Sequence, residues 1–230
     1  MSKAKMDTKT MEQTLKEHAL RDLCLESRWL ANSNLEELRL FLDTTEEFIE
    51  AEEKRAIESL EPHATHPDFW AENYPWEWQQ IIGSQLRYAY LGSLLAATEY
   101  HLRQVCRNAA QITNSKIKAD DLKGSHLEQA RKYLGSVVGF SAPSARAWEV
   151  VGDLYVLRNV IVHNGGEVDR EGSKKRLESL AKRSPGLTMH HNVHINKDFV
   201  IFAHNAIKAF FDELFSEQTK LHLKALNSKV

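Results

Sequence analysis

The sequence predicts an all-α protein, and three observations lead to that prediction. The chain has only ten glycines and five prolines in 230 residues, which is roughly half of their average usage. A β-sandwich or β-barrel needs a turn roughly every 8–12 residues, and so few turn-forming residues cannot supply that many. At 42 % hydrophobic and 27 % charged, the composition is that of an ordinary globular protein. Apolar residues also recur at helical spacing over most of the chain.

The charge balance and the cysteine content indicate where such a protein works. Thirty basic residues stand against 32 acidic ones, a formal charge of −2, so nucleic-acid binding would depend on a local basic patch. Cys24 and Cys106 lie far apart and indicate neither a disulfide framework nor a zinc site. The N-terminal segment has no apolar core, and the longest apolar stretch, 88–97, is about half of a bilayer span. We therefore expect a cytoplasmic protein with no membrane segment.

The N-terminal part is predicted to form two helices, over residues 15–30 and 34–60. Residues 32–34 are Asn-Ser-Asn, which are types that cap helices, and they mark the break between the two. Three of the five prolines fall in residues 61–75, which makes this stretch the elbow of the chain. The predicted organisation is accordingly an N-terminal helical extension and a helical bundle, at residues 1–68 and 69–230.

Further helices and a hairpin are predicted after the elbow. Helical periodicity covers residues 76–111 and 125–138. Residues 139–144 then break the pattern and offer serines that can cap the next helix. Alternating apolar and polar residues near 187–195 predict a short β-hairpin, and a last helix begins at residue 196 or 197.

Residues 145–163 form the most informative segment. Their apolar side chains would lie on almost every face of a helix, which is the pattern of a helix buried on all sides. The run is rich in β-branched residues, but it continues for about 19 residues without a breaker, whereas strands rarely exceed about ten. Gly165 and Gly166 follow. Because glycine adopts the left-handed backbone that ends helices, they predict a helix end just behind His163.

Three polar residues near that helix end form the candidate site. Burying Arg158, Asn159 and His163 is costly unless partners satisfy them or they face a cleft or an interface. Asn159 and His163 lie four residues apart on one helix face, so the amide can orient the imidazole. A histidine exchanges protons near neutral pH, and an arginine offers a planar fork for phosphate. These residue types suit cleavage of a phosphodiester without a metal.

The Arg-Asn-x-x-x-His sequence at residues 158–163, followed by Asn-Gly-Gly, resembles the R-x4-6-H signature of the HEPN superfamily. The resemblance covers residues 76–217 as a four-helix pattern, while its specific part is the motif and the glycines behind it. It implies an HEPN-like helical bundle. Many members of that superfamily are metal-independent endoribonucleases of toxin–antitoxin, abortive-infection and CRISPR systems.

The resemblance also implies residue roles and partners. Arg158 and His163 would be catalytic, with Asn159 beside them, in a composite site formed by the two protomers of a homodimer. The RNA 2′-hydroxyl would attack the adjacent phosphate, His163 would assist proton transfer, and Arg158 would stabilise the developing charge. The products would be a 2′,3′-cyclic phosphate and a 5′-hydroxyl. The expected partners are RNA, a second copy of the chain, and a cognate antitoxin or defence-system component, with no cofactor.

Two other interpretations stay open. Many HEPN domains only dimerise, bind nucleotide or RNA, or regulate a partner, so a non-catalytic module is the main alternative to a nuclease. A bare R-x4-H pattern also arises by chance, and a histidine in the last helical turn favours the helix dipole. On that second interpretation, Arg158 and His163 belong to a helical scaffold.

Supporting roles are predicted for residues outside the motif. Glu99 lies in an otherwise apolar stretch. In HEPN proteins an acidic residue on a neighbouring helix often approaches the motif, and Glu99 could have that role. The alternative is that Glu99 forms a structural salt bridge elsewhere. The segment behind the motif is locally positive and either binds the RNA backbone or forms a solvated helix face. Its basic residues are Lys174, Lys175, Arg176, Lys182 and Arg183.

Two further clusters of residues, one of histidines and one of aromatic residues, are expected to have structural roles. The histidines within residues 190–194 have no acidic or cysteine partners at a recognisable ligand spacing, so no metal site is predicted. The aromatic residues within 69–78 are expected to pack the N-terminal helices onto the bundle or to form a dimer contact, rather than to stack on nucleobases.

Overall fold

The computed structural model describes residues 8–168 and 171–227. It is 80 % helical, which confirms the all-α class. The α-helices of the described part are α1 (Thr8–Leu60), α2 (Phe69–Asn73), α3 (Ser84–Thr113), α4 (His126–Lys132), α5 (Ala145–Asn164), α6 (Glu171–Arg183) and α7 (Lys197–Asn227). Strands β1 (Leu187–Met189) and β2 (Val193–Ile195) pair antiparallel, which confirms the short hairpin.

The predicted helix break at residues 32–34 is wrong, because α1 runs through these positions without interruption. Ala31 and Leu35 are buried on either side of them, and Leu42 and Ile49 continue the buried stripe at intervals of seven residues. Burial of this stripe holds the backbone helical and outweighs the weak preference of Asn and Ser for helix ends.

The later helices follow the sequence prediction more closely. A π turn, Trp78–Gly83, precedes α3, and a second one, Tyr133–Val138, continues α4. The backbone N–H of Ala147 donates to the hydroxyl of Ser144 at 3.2 Å, so a serine of the break caps α5 as predicted. The side-chain oxygen of Asn196 caps α7 in the same way, accepting from the N–H of Phe199 at 3.2 Å.

The described chain forms two compact units, each built from separate segments. The first comprises the parts of residues 1–34, 97–148 and 208–230 that the structure describes, and the second those of 35–96 and 149–207. The predicted division of the chain at residue 68 stays a prediction. The candidate motif and the hairpin lie in the second unit.

In the first unit, α7 supplies both the aromatic core and the anchor of a loop. The ring of Phe211 stacks on that of Phe215 at a centroid distance of 5.7 Å. Two residues further on, the carboxylate of Glu217 accepts hydrogen bonds from the backbone N–H and the hydroxyl of Ser141, at 2.8 and 3.1 Å. The N–H of Ser144 donates to Glu213 at 3.0 Å. The loop at residues 139–144 is therefore held at two points.

In the second unit, a buried ion pair joins α1 to α3. The guanidinium of Arg87 donates to both carboxylate oxygens of Glu46 at 2.7 Å, and the two side chains are 6 % and 2 % exposed. Arg87 also donates to the side-chain oxygen of Gln79 at 2.9 Å. A Cβ at Gly83 would lie 3.1 Å from the guanidinium, so the glycine of the π turn leaves room for this network.

The aromatic residues of the elbow pack against α1 within the second unit. The rings of Phe48 and Trp78 meet edge to face at 6.1 Å. The hydroxyl of Tyr74 donates to Glu53 at 3.0 Å, and the amide of Gln79 donates to the other oxygen of Glu53 at 2.8 Å. These contacts give the aromatic cluster the packing role that its composition indicates.

Arg87→Met is expected to destabilise the protein by about 3 kcal/mol or more, because it leaves the buried Glu46 carboxylate without its partner. Chemical unfolding monitored by circular dichroism measures the change. The exposed Arg55→Met is the matched control and should change the free energy of unfolding by less than about 1 kcal/mol. Adding Glu46→Leu to Arg87→Met should recover much of the loss, and equal effects of Arg87→Met and Arg55→Met would refute the assignment.

Glu217 makes the stability of the first unit sensitive to acid. Burial alone would raise the pKa of its carboxyl, but hydrogen bonds from Lys220 and Ser141 outweigh burial and hold that pKa below its ordinary value. A carboxyl with a lowered pKa stabilises the fold above its unfolded pKa and loses this effect as the pH falls through the folded pKa. Glu217→Gln should therefore lower the Tm near neutral pH.

Thermal unfolding between about pH 7 and about pH 3 tests this linkage. The Tm difference between wild type and Glu217→Gln should shrink as the pH falls, because both carry a neutral side chain in acid. The exposed Glu178→Gln provides the control, with little difference from wild type throughout. A Tm difference for Glu217→Gln that does not vary with pH would show that the carboxylate charge is not the stabilising feature.

Candidate functional site

The candidate site lies at the C-terminal end of α5, where two glycines end the helix. Gly165 and Gly166 have φ angles of 59° and 91°, the left-handed backbone predicted for them. The N–H of Gly166 donates to the carbonyl of Val160 at 3.1 Å, which closes the helix end. His163 is consequently in the last turn of α5, next to a backbone that reverses its handedness.

The hairpin and α3 fix this helix end. The N–H of Val193 donates to the carbonyl of Gly166 at 2.9 Å, and Asn192 pairs with Glu167 in an isolated antiparallel bridge. The hydroxyl of Tyr88 donates to the carbonyl of Val193. The hairpin therefore binds the backbone behind His163, and α3 in turn holds the hairpin.

The prediction that α5 is buried on all sides is wrong for the end that carries the motif. Val162 is 55 % exposed, Asn159 and His163 are exposed, and Arg158 is half-buried. The buried side is formed by Val151, Leu154, Leu157 and Val160. One side of the helix end is thus exposed to solvent. The three polar residues lie at or near this side, so they do not bear the desolvation cost that full burial would impose.

Asn159 interacts with the arginine of the motif rather than with the histidine. Its side-chain oxygen accepts a hydrogen bond from Nη1 of Arg158 at 3.0 Å, and no hydrogen bond joins Asn159 to His163 in this described part of α5. The predicted orientation of the imidazole by the amide is therefore not observed. Asn159 instead fixes the guanidinium, because the two neighbouring side chains turn toward each other at the helix surface.

Glu99 forms a structural salt bridge, which is one of the two roles considered for it. It lies in the first unit, where Nη2 of Arg103 donates to its carboxylate at 2.6 Å. Nε2 of His126 lies 3.6 Å from the same oxygen. A role for Glu99 at the motif stays a prediction.

Asp153 is an important residue that the sequence analysis missed. It lies on α5 five residues before Arg158, and its side chain is 3 % exposed. Nη2 of Arg176 lies 2.6 Å from one carboxylate oxygen, and Arg183 binds the other. Arg183 also pairs with Glu149 at 2.8 Å. A buried carboxylate on the site helix therefore holds α6 through two arginines.

This network divides the predicted RNA-binding residues into two groups. Arg176 and Arg183 lie seven residues apart, on one face of α6, and their observed role is to dock that helix on α5. The lysines at 174, 175 and 182 are exposed, and the side chain of Arg176 is itself 50 % exposed; an RNA-binding role for these residues stays a prediction. The signal in the sequence was a single Asp in the apolar stretch of residues 145–163, followed by two arginines two helical turns apart.

The histidines of the hairpin segment are exposed, so none of them requires a hydrogen-bond partner within the protein. His190, His191 and His194 all lie at the surface. Across residues 8–168 and 171–227, no three His, Cys, Asp or Glu side chains come together as the ligands of a metal ion would.

Asp153→Ala is expected to destabilise the protein by about 3 kcal/mol, since it leaves two arginines without their buried partner. Urea unfolding measures the loss, and native-state hydrogen exchange should show that the amides of α6 lose protection first. Glu149→Ala, which removes the exposed partner of Arg183, is the control and should cost less than about 1 kcal/mol. Equal losses in the two variants would contradict the docking role of Asp153.

Comparisons with known proteins identify no relative of this chain. No family model matches the chain, and neither a curated protein nor a solved structure matches it. The HEPN resemblance therefore rests on the motif itself and on the helix end that carries it. None of the described helices combines the length and the apolar character that crossing a bilayer requires.

Proposed function

We propose that the protein is a metal-independent endoribonuclease of the HEPN type, acting as a toxin or an antiviral-defence effector. The observation that carries this proposal is the accessible motif at the end of α5. His163 is exposed in the last turn, Arg158 lies five residues before it, and Asn159 holds the guanidinium at 3.0 Å. The fixed backbone behind Gly165 and Gly166 supports the position of the imidazole.

The proposed reaction is an internal transfer at phosphorus. The RNA 2′-oxygen forms a bond to the adjacent phosphorus while the bond to the 5′-oxygen of the next nucleotide breaks. One proton leaves the 2′-hydroxyl and one reaches the departing 5′-oxygen, so the products are a 2′,3′-cyclic phosphate and a 5′-hydroxyl. His163 takes part in these proton transfers, and Arg158 stabilises the charge on the phosphoryl oxygens.

A second copy of the chain would complete the site. The open side of α5 combines polar residues with an apolar one, since Val162 is 55 % exposed beside Asn159 and His163. Two such faces meeting across a two-fold axis would bury both valines and bring two histidines to one groove. One histidine could then accept a proton while the other donates one.

The second candidate is a dimeric or RNA-binding HEPN-like module without catalysis. It is favoured by the ion pairs of Arg176 and Arg183 with Asp153. Because these arginines serve the fold, the cationic surface near the motif depends mainly on the lysines of α6. Such a surface suits weak, sequence-independent binding of a phosphate backbone.

An RNA cleavage assay in EDTA tests the proposal. Mixed RNA is incubated with the full chain, and the product ends are identified by mass spectrometry. Arg158→Ala and His163→Ala should each lower the rate by about 100-fold or more, and Asn159→Ala by about tenfold. The matched controls are Arg146→Ala and His190→Ala, which remove exposed side chains of the same types outside the motif and should keep wild-type activity.

The outcomes separate the two candidates. Absence of cleavage by wild type, or equal activity of the motif variants and the controls, would refute the nuclease. A dimer in light scattering that cleaves nothing but binds labelled RNA would favour the non-catalytic module. Val162→Glu addresses the composite site, since it should give a monomer and lose cleavage together.

A further inference from the structure

A cavity of about 520 Å³ lies in the first unit, beside α4 and the first turn of α5. Its volume falls within the roughly 300–1,000 Å³ that small-molecule sites have. The lining comes from α4, from the π turn at Tyr133–Val138, from the loop at residues 139–144, and from Ala145 and Trp148. These residues are separate from the proposed nuclease motif, which is at the opposite end of α5.

The inner wall of the cavity is apolar and fixed. Leu134, Pro143 and Trp148 line it and are themselves buried. The indole of Trp148 packs edge to face against Phe210 at 4.8 Å, which restrains its orientation. A wall of this kind suits a ring or a short hydrocarbon chain.

The loop that forms one side of the cavity is held in place by the hydrogen bonds described above. Glu217 holds Ser141, and Glu213 holds Ser144. The N–H of Phe140 donates to the carbonyl of Leu134 at 2.8 Å, which closes the π turn onto the loop. Because these hydrogen bonds are made within the protein itself, binding requires little additional ordering of the wall.

The rim carries three charged side chains, of which two are engaged. Glu128 accepts from the N–H and the hydroxyl of Ser125 at 2.8 and 3.1 Å, and Lys132 donates to the carbonyl of Lys123 at 2.9 Å. Arg131 is exposed and has no hydrogen bond or ion pair within the described parts of the chain. The cavity therefore presents one uncommitted guanidinium above an apolar wall.

We propose that this cavity binds a small organic anion, whose carboxylate pairs with Arg131 and whose apolar body lies against Leu134, Pro143 and Trp148. A guanidinium binds a carboxylate through two parallel hydrogen bonds, which gives the ligand an orientation. Gly135 lines the cavity, and a Cβ there would meet no atom within 4 Å, so the missing side chain leaves room for the ligand. The proposal does not depend on the nuclease activity.

The test uses 4-phenylbutyrate as the probe and its neutral counterpart 4-phenylbutanol as the comparison. Both are titrated into the full-length protein by calorimetry, and the indole N–H of Trp148 is followed by nitrogen-15 NMR. For a ligand of this size, a Kd of about 1 mM or tighter is expected. The neutral alcohol should bind about tenfold more weakly, since it lacks the charged partner of Arg131.

Three variants locate the site. Gly135→Leu should abolish binding by placing a side chain where the ligand would lie. Arg131→Gln should lower the affinity for phenylbutyrate by about tenfold and leave the affinity for the alcohol unchanged. Arg146→Gln, an exposed arginine of α5 outside the lining, should bind like wild type. Circular dichroism checks that each variant is folded, and the wild-type comparison of the two probes needs no variant.

The binding measurements can either support the proposed anion site or overturn it. Absence of phenylbutyrate binding up to about 10 mM would overturn the proposal, as would binding that leaves the Trp148 signal unshifted. Equal affinities for acid and alcohol, or equal effects of Arg131→Gln and Arg146→Gln, would overturn the assignment of an anion. Loss of binding in a folded Gly135→Leu, together with preference for the acid, supports it.

Discussion

A single buried carboxylate, that of Asp153, joins the helix of the candidate site to α6. Asp153 is taken out of water on α5 and requires positive partners there, which Arg176 and Arg183 of α6 supply. The α6 helix leads directly into the hairpin, and the hairpin binds the backbone of Gly166. Asp153 is thus linked through α6 and the hairpin to the backbone behind His163, which lies ten residues later on the same helix. Asp153 therefore takes part both in the packing of α6 on α5 and in the pairing of charges between them.

Buried carboxylates organise the first unit and the second unit in the same way. Glu46 is satisfied by Arg87, Asp153 by its two arginines, and Glu217 by Lys220 and a loop serine. Each lies at a contact with a different element: the π turn before α3, the helix α6 and the loop at residues 139–144. A protein with a formal charge of only −2 can still rely on ion pairs, because their effect depends on burial and geometry rather than on net charge.

The fold class and most helix boundaries were predictable from sequence, because apolar periodicity, caps and the two glycines act locally. The continuity of α1 through residues 32–34 was not, since it depends on the burial of Ala31 and Leu35 in the folded chain. The motif residues were identified, but their exposure was misjudged, because apolar residues such as Val162 do not reveal whether a neighbour covers them. The partner of Arg176 could not be predicted, because Asp153 lies 23 residues away in sequence and only the fold brings the two side chains together. The partners of Glu99 and Asn159 lie four residues and one residue away, so spacing allowed these contacts without selecting them among other local pairs.

The two glycines behind His163 have a consequence for how substitutions near the motif are interpreted. At φ angles of 59° and 91°, any residue with a Cβ strains the backbone. Replacement of Gly165 or Gly166 would therefore move the imidazole by altering the path of the chain, although neither glycine carries a functional group. If substitution of either glycine lowers activity, the cause is the changed backbone conformation. If substitution of Arg158 or His163 lowers activity, the cause is the loss of the functional group itself.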